Sequence, residues 1–533
     1  MLCDISQQQN NITGPGHLDA SAGRRISCMM TRYTMLVLNP EHRQRYATHT
    51  TILLCLMLMW GISGCTDMTG TTLGRLTGVV YQTPDGHLTI APATDARPVA
   101  GVEVRLANQQ LRAFTDSQGS FTLDLVPAGS PTVFISSPGK QSLSGSVTIS
   151  PASTTTLAAA SVTPVDRQWT VLVFMNADNN LERFGILNMN QMESAPDSEA
   201  VTVAVQLDRS PSYDTSNGDW SGTRRYKIEH DADSHTITSV QLADLGSVDM
   251  GQPATLREFI SWGMSAFPAR HYLLVIWNHG AGWRANLPAM RTMRGISFDD
   301  THGTFIATTD LPNAVSAATP LDVIAFDASL MQMLEVAYQL RNSCSYIVGS
   351  EESPPGSGYP YQYILGNLIA KPQQSPRELA QAIPQETLDY YGVNSGITQS
   401  ALEINRLDDL AGALDRFAGA LLPLATTEAD MLGAARDTTE HYATLDNRDL
   451  ADYAMQVKDR VTDVQVKIAA VDLLTTISSA VIANTHGSAH QNSHGISIYL
   501  PTPGSYTPAA PGYILLALSS HTRWANWLAA QQK

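Results

Sequence analysis

The spacing of apolar positions changes near residue 169, and this change predicts two kinds of domain. Before it, short runs such as 102–106 and 120–123 alternate apolar with polar residues and are broken by Gly, Pro and Asp. Such runs are typical of short strands with one buried face. We therefore expect a small all-β sandwich at residues 76–151. Residues 152–168, rich in Ser, Thr, Ala and Pro, predict a linker.

Continuous apolar runs after residue 169 predict parallel strands that are covered on both faces. There are five of these runs, at residues 171–175, 201–207, 272–277, 321–326 and 346–349. Helical spacing separates them, notably at 255–264 and 330–340. Strands that alternate with helices favour an α/β fold, here a mainly parallel sheet flanked by helices.

The last third of the chain predicts more helix. We expect helices at 376–391, 407–423 and 448–484, a late strand at 496–500 and a terminal helix that packs through Trp524 and Trp527. Residues 169–370 then form the core of the α/β domain, and residues 371–533 form its C-terminal part.

Composition and charge narrow the classes of partner. The chain has 533 residues and a formal charge of −16, which disfavours binding to nucleic acid and offers no basic patch for anionic lipid. Its 43% hydrophobic content supports buried cores rather than disorder. Among the five cysteines there is no Cys-x-x-Cys pair, so the sequence predicts neither a thiolate metal site nor a disulfide framework.

Residues 1–64 predict a leader. A short apolar run at 52–62 follows Arg43 and Arg45 and is too short to span a membrane comfortably. It ends in Ile-Ser-Gly-Cys at 62–65, which resembles the lipidation signal of bacterial lipoproteins. The resemblance implies a lipid on Cys65, a tether at 65–75 and a place in the bacterial cell envelope, periplasmic or on the outer surface. The alternative is a plain secretory signal.

Polar residues that follow two of the predicted strands form a candidate catalytic constellation. His279 and Gly280 follow the third strand, and Asp327 and Ser329 follow the fourth. Ligand sites in open parallel sheets lie beyond the carboxyl ends of the strands. If the two strands are neighbours, His279 and Ser329 face one cleft, and the amides of Gly280 and Ser329 can bind an oxyanion. A helix predicted to begin at residue 330 would add its positive end.

Several sequence blocks resemble two known families. WTVLVFMNADN (169–179), WNHGAGW (277–283), FDASL (326–330), LEVAY (334–338), GSEE (349–352) and GISIYLP (495–501) occur in the order found in the clostripain family of caspase-like cysteine peptidases. TDSQGSF (115–121) followed by VPAG (126–129) resembles the carboxypeptidase-regulatory-like sandwich. Together they imply a caspase-like domain behind a sandwich that serves as a spacer or binding platform.

The clostripain resemblance implies a histidine–cysteine dyad in which Ser329 replaces the cysteine. His279 then protonates the leaving group. The sequence does not indicate a third residue that orients the ring of His279. The family prefers a basic side chain before the cut bond. Ser357 stands where many members have an acidic residue, and Asp327 can replace that residue in part. The sequence therefore predicts a peptidase-like protein acting on peptides or proteins; the alternative is an inactive pseudo-peptidase that binds them.

Three further features complete the candidate sites. Asp178, Asn179 and Asp208 follow strands and are candidates either for shaping the cleft or for binding calcium, which some members of the family use. Arg291 and Arg294 lie in the loop at which members of the family often cleave their own chain. The alternative is that both are ordinary solvated charges of a loop. Three histidines spaced by four suggest a metal site only if they are helical, and their Gly and Ser neighbours favour a loop instead; they are His486, His490 and His494.

Overall fold

The computed structural model of the protein describes residues 73–283, 295–507 and 509–531. The predicted leader, Cys65 and the loop residues Arg291 and Arg294 lie outside these ranges. None of the described helices is long and apolar enough to cross a membrane.

The N-terminal domain is a β-sandwich of a three-stranded and a five-stranded sheet, in the orders β10-β1-β7 and β11-β9-β8-β5-β6, beside a small sheet, β3-β2-β4. Its strands are β1 (Leu73–Val79), β2 (Tyr81–Gln82), β3 (Leu88–Thr89), β4 (Arg97–Pro98), β5 (Glu103–Leu106), β6 (Arg112–Phe114), β7 (Ser120–Pro127), β8 (Thr132–Ser136), β9 (Leu143–Ser146), β10 (Thr154–Thr156) and β11 (Thr163–Pro164). The stretch 152–168 therefore differs from the expected linker, because β10 pairs with β1 and β11 pairs with β9.

The second domain contains a nine-stranded sheet in the order β15-β14-β13-β12-β16-β19-β20-β21-β23, and two two-stranded sheets, β17-β18 and β22-β24. Its strands are β12 (Trp169–Ala177), β13 (Val201–Arg209), β14 (Gly222–Lys227), β15 (Val240–Gly246), β16 (His271–Trp277), β17 (Gly295–Asp299), β18 (Thr304–Ala307), β19 (Leu321–Asp327), β20 (Cys344–Gly349), β21 (Thr398–Glu403), β22 (Asn447–Asp449), β23 (Val481–His486) and β24 (Ser497–Tyr499).

The five predicted strands are confirmed, and they form the parallel centre of the nine-stranded sheet, from β13 through β12, β16 and β19 to β20. Antiparallel strands extend the sheet on both sides. Every residue of β12 and β13 is buried, because helices and loops cover both faces. Successive residues of β12 enter different cores: Leu172 and Phe174 pack on one face, and Val171 and Val173 on the other.

Helices flank the nine-stranded sheet at Glu182–Glu193, Pro253–Ala266, Leu311–Ala314, Leu334–Gln339, Tyr361–Ala370, Pro376–Tyr391, Leu407–Leu421, Ala429–Thr438, Leu450–Arg460, Val464–Ala480, Ala510–Tyr513, Ala517–His521 and Trp524–Ala530. Short 3₁₀ turns occur at Ala159–Ser161, Thr308–Asp310, Ile404–Arg406 and Leu422–Leu424. The helix expected at 448–484 is two helices followed by β23, and Asp463 caps the second of them. The terminal helix packs through buried Trp524 and Trp527, as predicted.

A buried cluster of charges joins the sandwich to the second domain. Arg105 of the sandwich lies 2.6 Å from Asp197 and is 3% exposed, while Arg112 lies 2.8 Å from Glu229. A third ion pair has the reverse arrangement: Lys227 of the second domain lies 3.3 Å from Glu103 of the sandwich. The partners in the second domain precede β13 or lie at or beyond the end of β14, which runs antiparallel to β13, so they lie where the parallel strands begin. The sandwich is therefore attached to the edge of the sheet opposite the carboxyl ends of the parallel strands.

Candidate functional site

The cleft at the carboxyl ends of β16 and β19 brings the predicted residues together. The two strands are parallel neighbours with Trp277 opposite Asp327, so the register places His279 beside Ser329. Both residues line a cleft of about 360 Å³ whose other wall is the segment 353–358. The sequence-based hypothesis requires an imidazole and a hydroxyl fifty positions apart to come together at adjacent strand ends. The fold brings them together there.

Gly280 is required by this close approach. A Cβ atom at position 280 would overlap the carbonyl oxygen of Ser329 and would lie 3.1 Å from the Cβ of Ala328. Since the overlapping atom belongs to the backbone, a side chain here would push the two strand ends apart. The absence of a side chain thus lets the backbone of Gly280 lie against that of Ser329.

The turn after Ser329 differs from the prediction. The expected helix begins at Leu334 rather than at residue 330 and has only six residues, so Ser329 does not lie at a helix N-terminus. The chain instead turns through Leu330 at φ +63°, and the Leu330 and Gln332 amides donate to the carbonyls of Glu352 and Ser350. A leucine in this left-handed region costs about 1–2 kcal/mol. The buried Leu330 side chain and these hydrogen bonds hold the sharp turn that presents Ser329 to the cleft.

The backbone around the turn offers donors to a bound carbonyl group. Within the described ranges, the amides of Gly280 and Ser329 donate no hydrogen bond to another part of the chain. Both residues line the cleft. Two unpaired amides beside a nucleophile can stabilise the negative charge that develops on a carbonyl oxygen during attack. The oxyanion-binding role expected of the two amides stays a prediction.

His279 has a side-chain partner that the sequence did not reveal. Its Nε2 atom lies 2.6 Å from Oδ1 of Asn180, a residue on the turn after β12. This contact fixes the plane of the ring and, with Asn180 as acceptor, leaves Nδ1 unprotonated in the neutral ring. Burial lowers the pKa of His279, and the negative charge of Asp300 opposes this in part. His279 is therefore neutral near pH 7 and able to accept a proton.

Asn180 belongs to the run Asp178-Asn179-Asn180 that follows β12, and only the first two of these residues were singled out above. A polar residue at a strand end was the available signal. The partner of Asn180 could not be read from the sequence because His279 lies 99 positions away. Ser329 itself has no side-chain hydrogen bond within the described ranges, and in particular none to His279.

Asp327 is the carboxylate that lines the cleft. Both of its oxygens accept from the amide of Tyr359 at 3.1 Å, and the hydroxyl of Tyr361 donates to Oδ2 at 2.8 Å. Burial raises the pKa of Asp327 to about 7, although these hydrogen bonds lower it. Gly358, at φ +60°, makes the contact possible, because a Cβ atom there would lie 2.5 Å from Asp327 Oδ1. The carboxyl group is thus held at the base of the cleft.

Ser357 contributes hydrogen bonds that hold the wall of the cleft. Its hydroxyl lies 2.8 Å from the hydroxyl of Tyr391, which also donates to the carbonyl of Gly358. Its own carbonyl accepts from Asn188 at 2.9 Å. The residue in the slot where many family members have an acid therefore anchors the segment 353–358.

The candidate calcium ligands lie beside a group of side chains that could hold a cation. Asp178, Asp299 and His302 each offer an atom within 4.8 Å of the others. Both oxygens of Asp299 accept backbone amides, and the ring of His302 lies 2.9 Å from Asp299. The side chain of Asn179 is bonded to the backbone. Calcium takes six to eight oxygen ligands. This set offers an imidazole, a carboxylate already bonded to two amides, and one buried oxygen without a partner, Oδ1 of Asp178, so it does not fit calcium.

Burial of this acidic group has a consequence for Asp208, the other candidate ligand. Its pKa is raised to about 8 by burial and by the negative charges of Asp178 and Asp299, while the hydroxyl of Thr223 donates to it. Asp208 therefore keeps its proton at neutral pH.

The spaced histidines contact different partners rather than one common site, and the ring of His486 lies against the carbonyl of Gly487. His490 lies between Glu440 and Glu352, at 3.2 and 3.5 Å, and His494 lies 3.1 Å from Asp449. Cys344 begins β20 opposite Leu321, at the other edge of the sheet from Ser329. Burial raises the pKa of its thiol, so Cys344 does not replace the missing nucleophile.

Comparisons with known proteins agree with this architecture. The sequence model of the Clostripain family matches residues 173–529, and that of the Carboxypeptidase regulatory-like domain matches residues 89–162. Clostripain of Hathewaya histolytica is 29% identical over 222 residues, which is 38% of this chain; the matched part spans 42% of that protein's length.

Two solved structures share the fold. One is an inactive zymogen of a C11 protease from Parabacteroides distasonis, with a TM-score of 0.52 and 22% identity over 68% of this chain and 99% of that one. The other is a secreted C11 cysteine protease from Bacteroides thetaiotaomicron in complex with an irreversible peptide inhibitor, with a TM-score of 0.52 and 23% identity over 67% and 99% of the two chains. With the family match spanning residues 173–529, these findings show that the chain belongs to the clostripain family.

Proposed function

We propose that this protein binds peptides or exposed protein segments in the cleft at His279 and Ser329 and hydrolyses an amide bond with Ser329 as the attacking group. The observation that supports it is the register of β16 and β19, which places an imidazole, a hydroxyl and two unpaired amides around one cleft. The inhibitor-bound relative from Bacteroides thetaiotaomicron supports a peptide as the ligand.

In the proposed reaction, Ser329 Oγ forms a bond to the carbonyl carbon and its proton passes to neutral His279. The amides of Gly280 and Ser329 receive the negative charge of the oxygen. His279 then gives the proton to the amine as the carbon–nitrogen bond breaks, and water releases the acyl group from Ser329. Asn180 keeps the ring of His279 in the required plane throughout.

Asp327 gives the proposed site a preference for a basic side chain. It is the acid within the lining of the cleft, and the cleft lining contains no cation to neutralise it among the described residues. A guanidinium or ammonium group of the substrate can pair with it once it is ionised. Because its pKa is raised to about 7, we expect a peptide containing Arg to bind more tightly at pH 8 than at pH 6.

Fluorescence anisotropy with a labelled Arg peptide tests this preference without requiring hydrolysis. We expect the affinity to rise as pH increases through 7 in the parent protein, and to be weaker and independent of pH in Asp327→Asn. The same peptide with norleucine in place of Arg is the matched control. Equal affinity for the two peptides at pH 8 would contradict the role of Asp327.

Hydrolysis is tested by incubating the protein with a peptide library and identifying the products by mass spectrometry. Cleavage that disappears in both Ser329→Ala and His279→Ala supports the proposed reaction. Cleavage that survives Ser329→Ala excludes Ser329 as the nucleophile.

A second candidate function is peptide binding without hydrolysis. It is favoured by one observation: within the described ranges, no hydrogen bond joins Ser329 to His279 or to another base. A serine hydroxyl needs such a base to become a nucleophile. Tight binding of the Arg peptide without any product from the library would support this second function.

We further propose that the protein is anchored to the bacterial cell envelope by a lipid on Cys65. The lipidation-like sequence at 62–65 supports this. Metabolic labelling with a fatty acid should mark the parent protein but not Cys65→Ala, which should leave the membrane fraction. A parent protein without label would contradict the proposal.

A further inference from the structure

A groove between the sandwich and the second domain lies at the edge of the sheet opposite the catalytic cleft. Its volume is about 550 Å³. The sandwich contributes the turn 85–87 and the segment 139–142, and the second domain contributes residues 165–167 and 268–270, which precede β12 and β16. Hydrogen bonds cross the boundary at both ends, from Gly139 N to the carbonyl of Ala266 and from Gln141 Nε2 to that of Val165. The walls of the groove are therefore held in fixed positions.

Arg167 in this groove is a buried cation without a matching anion. It is 9% exposed, and its guanidinium donates only to neutral acceptors, the carbonyl of Pro268 and the hydroxyl of Ser142, both at 3.2 Å. Its Nε atom has no partner. Within the described ranges Arg167 forms no ion pair, and burial lowers its pKa despite the more distant charge of Glu199. A buried charge of this kind is costly unless a partner neutralises it.

Lys140 adds a second uncompensated cation. Its ammonium group makes no ion pair or hydrogen bond with the described residues, although it lines the same groove. Of the other charged groups in the groove, Arg270 binds Asp166 through two hydrogen bonds of 3.0 and 2.6 Å, and the Asp85 carboxylate lies 3.6 Å from His87. Three cations of the lining thus face two carboxylates, which leaves a net charge of +1 when histidine is counted as neutral. In a protein with a net charge of −16, this groove is locally positive.

We infer that the groove binds a small oxyanion, a carboxylate or a phosphate, between Lys140 and Arg167. A carboxylate or phosphate oxygen accepts charge-assisted hydrogen bonds from both groups, and the guanidinium retains free N–H groups for it. Because residues of both domains contact the groove, a bound anion also links the sandwich to the second domain. This inference is independent of the proposed hydrolysis, since the groove contains none of the residues of the catalytic cleft.

Isothermal titration calorimetry at constant ionic strength tests the inference directly. Inorganic phosphate and acetate are titrated into the whole protein, with sodium chloride as the reference salt. A short peptide with a free C-terminal carboxylate is compared with its amidated form to identify the source of a carboxylate. We expect phosphate, the free-acid peptide or both to bind and to raise the melting temperature beyond the effect of chloride.

Variants locate the binding. Lys140→Gln should weaken binding about tenfold, because one of two charge-assisted contacts is lost. Arg167→Gln should abolish binding, and circular dichroism shows whether that variant has folded. Lys467→Gln, which alters an exposed lysine on a helix that does not line the groove, should bind like the parent. Equal binding by Lys140→Gln and the parent overturns the inference, as does a parent protein that binds neither oxyanion.

Discussion

Replacing Ser329 by cysteine should strongly increase peptidase activity. The hydroxyl has no hydrogen bond to His279, so in this structure the proton acceptor that serine needs is not yet engaged. General base catalysis typically contributes about 10²–10⁴-fold, which is about 3–5 kcal/mol at 1.36 kcal/mol per factor of ten. A thiol with a pKa of about 8.5 is roughly one-tenth ionised at pH 7.5 without any base. We therefore expect kcat/KM to rise by about 10²-fold or more in Ser329→Cys.

The assay measures release of a fluorogenic amine from an Arg-containing peptide by the parent, Ser329→Cys and the double variant Ser329→Cys/His279→Ala. The increase should appear mainly in kcat, because the side chains that bind the peptide are unchanged. The double variant should lose most of the gained activity, since His279 protonates the leaving amine. A folded Ser329→Cys protein that binds the peptide but is no more active than the parent would refute the assignment of position 329 as the nucleophile.

Three further substitutions test the surrounding structure. Asn180→Ala, made in the Ser329→Cys protein, should lower kcat about tenfold with little change in KM, because the 2.6 Å contact that orients His279 is lost; an unchanged kcat would contradict this role. Gly280→Ala should lower the free energy of unfolding by about 1–3 kcal/mol, measured by urea denaturation, because its Cβ overlaps the carbonyl of Ser329; full stability would show that the strand ends can separate. Asp208→Asn should increase stability at pH 8 but not at pH 4. The pKa of Asp208 is raised from 3.8 to about 8, so the folded state holds its proton more tightly and loses stability as pH rises between these values. At 1.36 kcal/mol per unit the gain has a ceiling of about 6 kcal/mol, of which we expect about 2 kcal/mol, and equal gains at both pH values would contradict the reasoning.

The acidic residues at the end of β12 illustrate which contacts a residue pattern predicts and which it misses. Asp178 and Asp208 do lie close together, as residues at neighbouring strand ends should. Their partners, Asp299 and His302, come from a turn more than ninety positions further along the chain. That turn supplies backbone amides and an imidazole, so the group is held together by hydrogen bonds rather than by a shell of oxygen ligands.

The parallel centre of the sheet follows from the sequence alone. A strand covered on both faces must be apolar at every position, so its signal is local and survives without knowledge of its neighbours. His279 and Ser329 follow β16 and β19 in the chain, so the two residues meet once these strands are neighbours in the sheet. The two domains were also recognisable, because the change from alternating to continuous apolar runs reflects how many faces of each sheet are buried.

Features that depend on distant partners became visible only in the folded chain. Residues 330–332 pair with 350–352, which delays the helix to Leu334 and removes its end from Ser329. The late strand β24 pairs with β22 in a separate sheet, and β10 and β11 complete the sandwich where a linker was expected. Asn180 reaches His279 across two adjacent strand ends. Each of these contacts joins residues far apart in the chain, and their energies depend on positions that no local pattern contains.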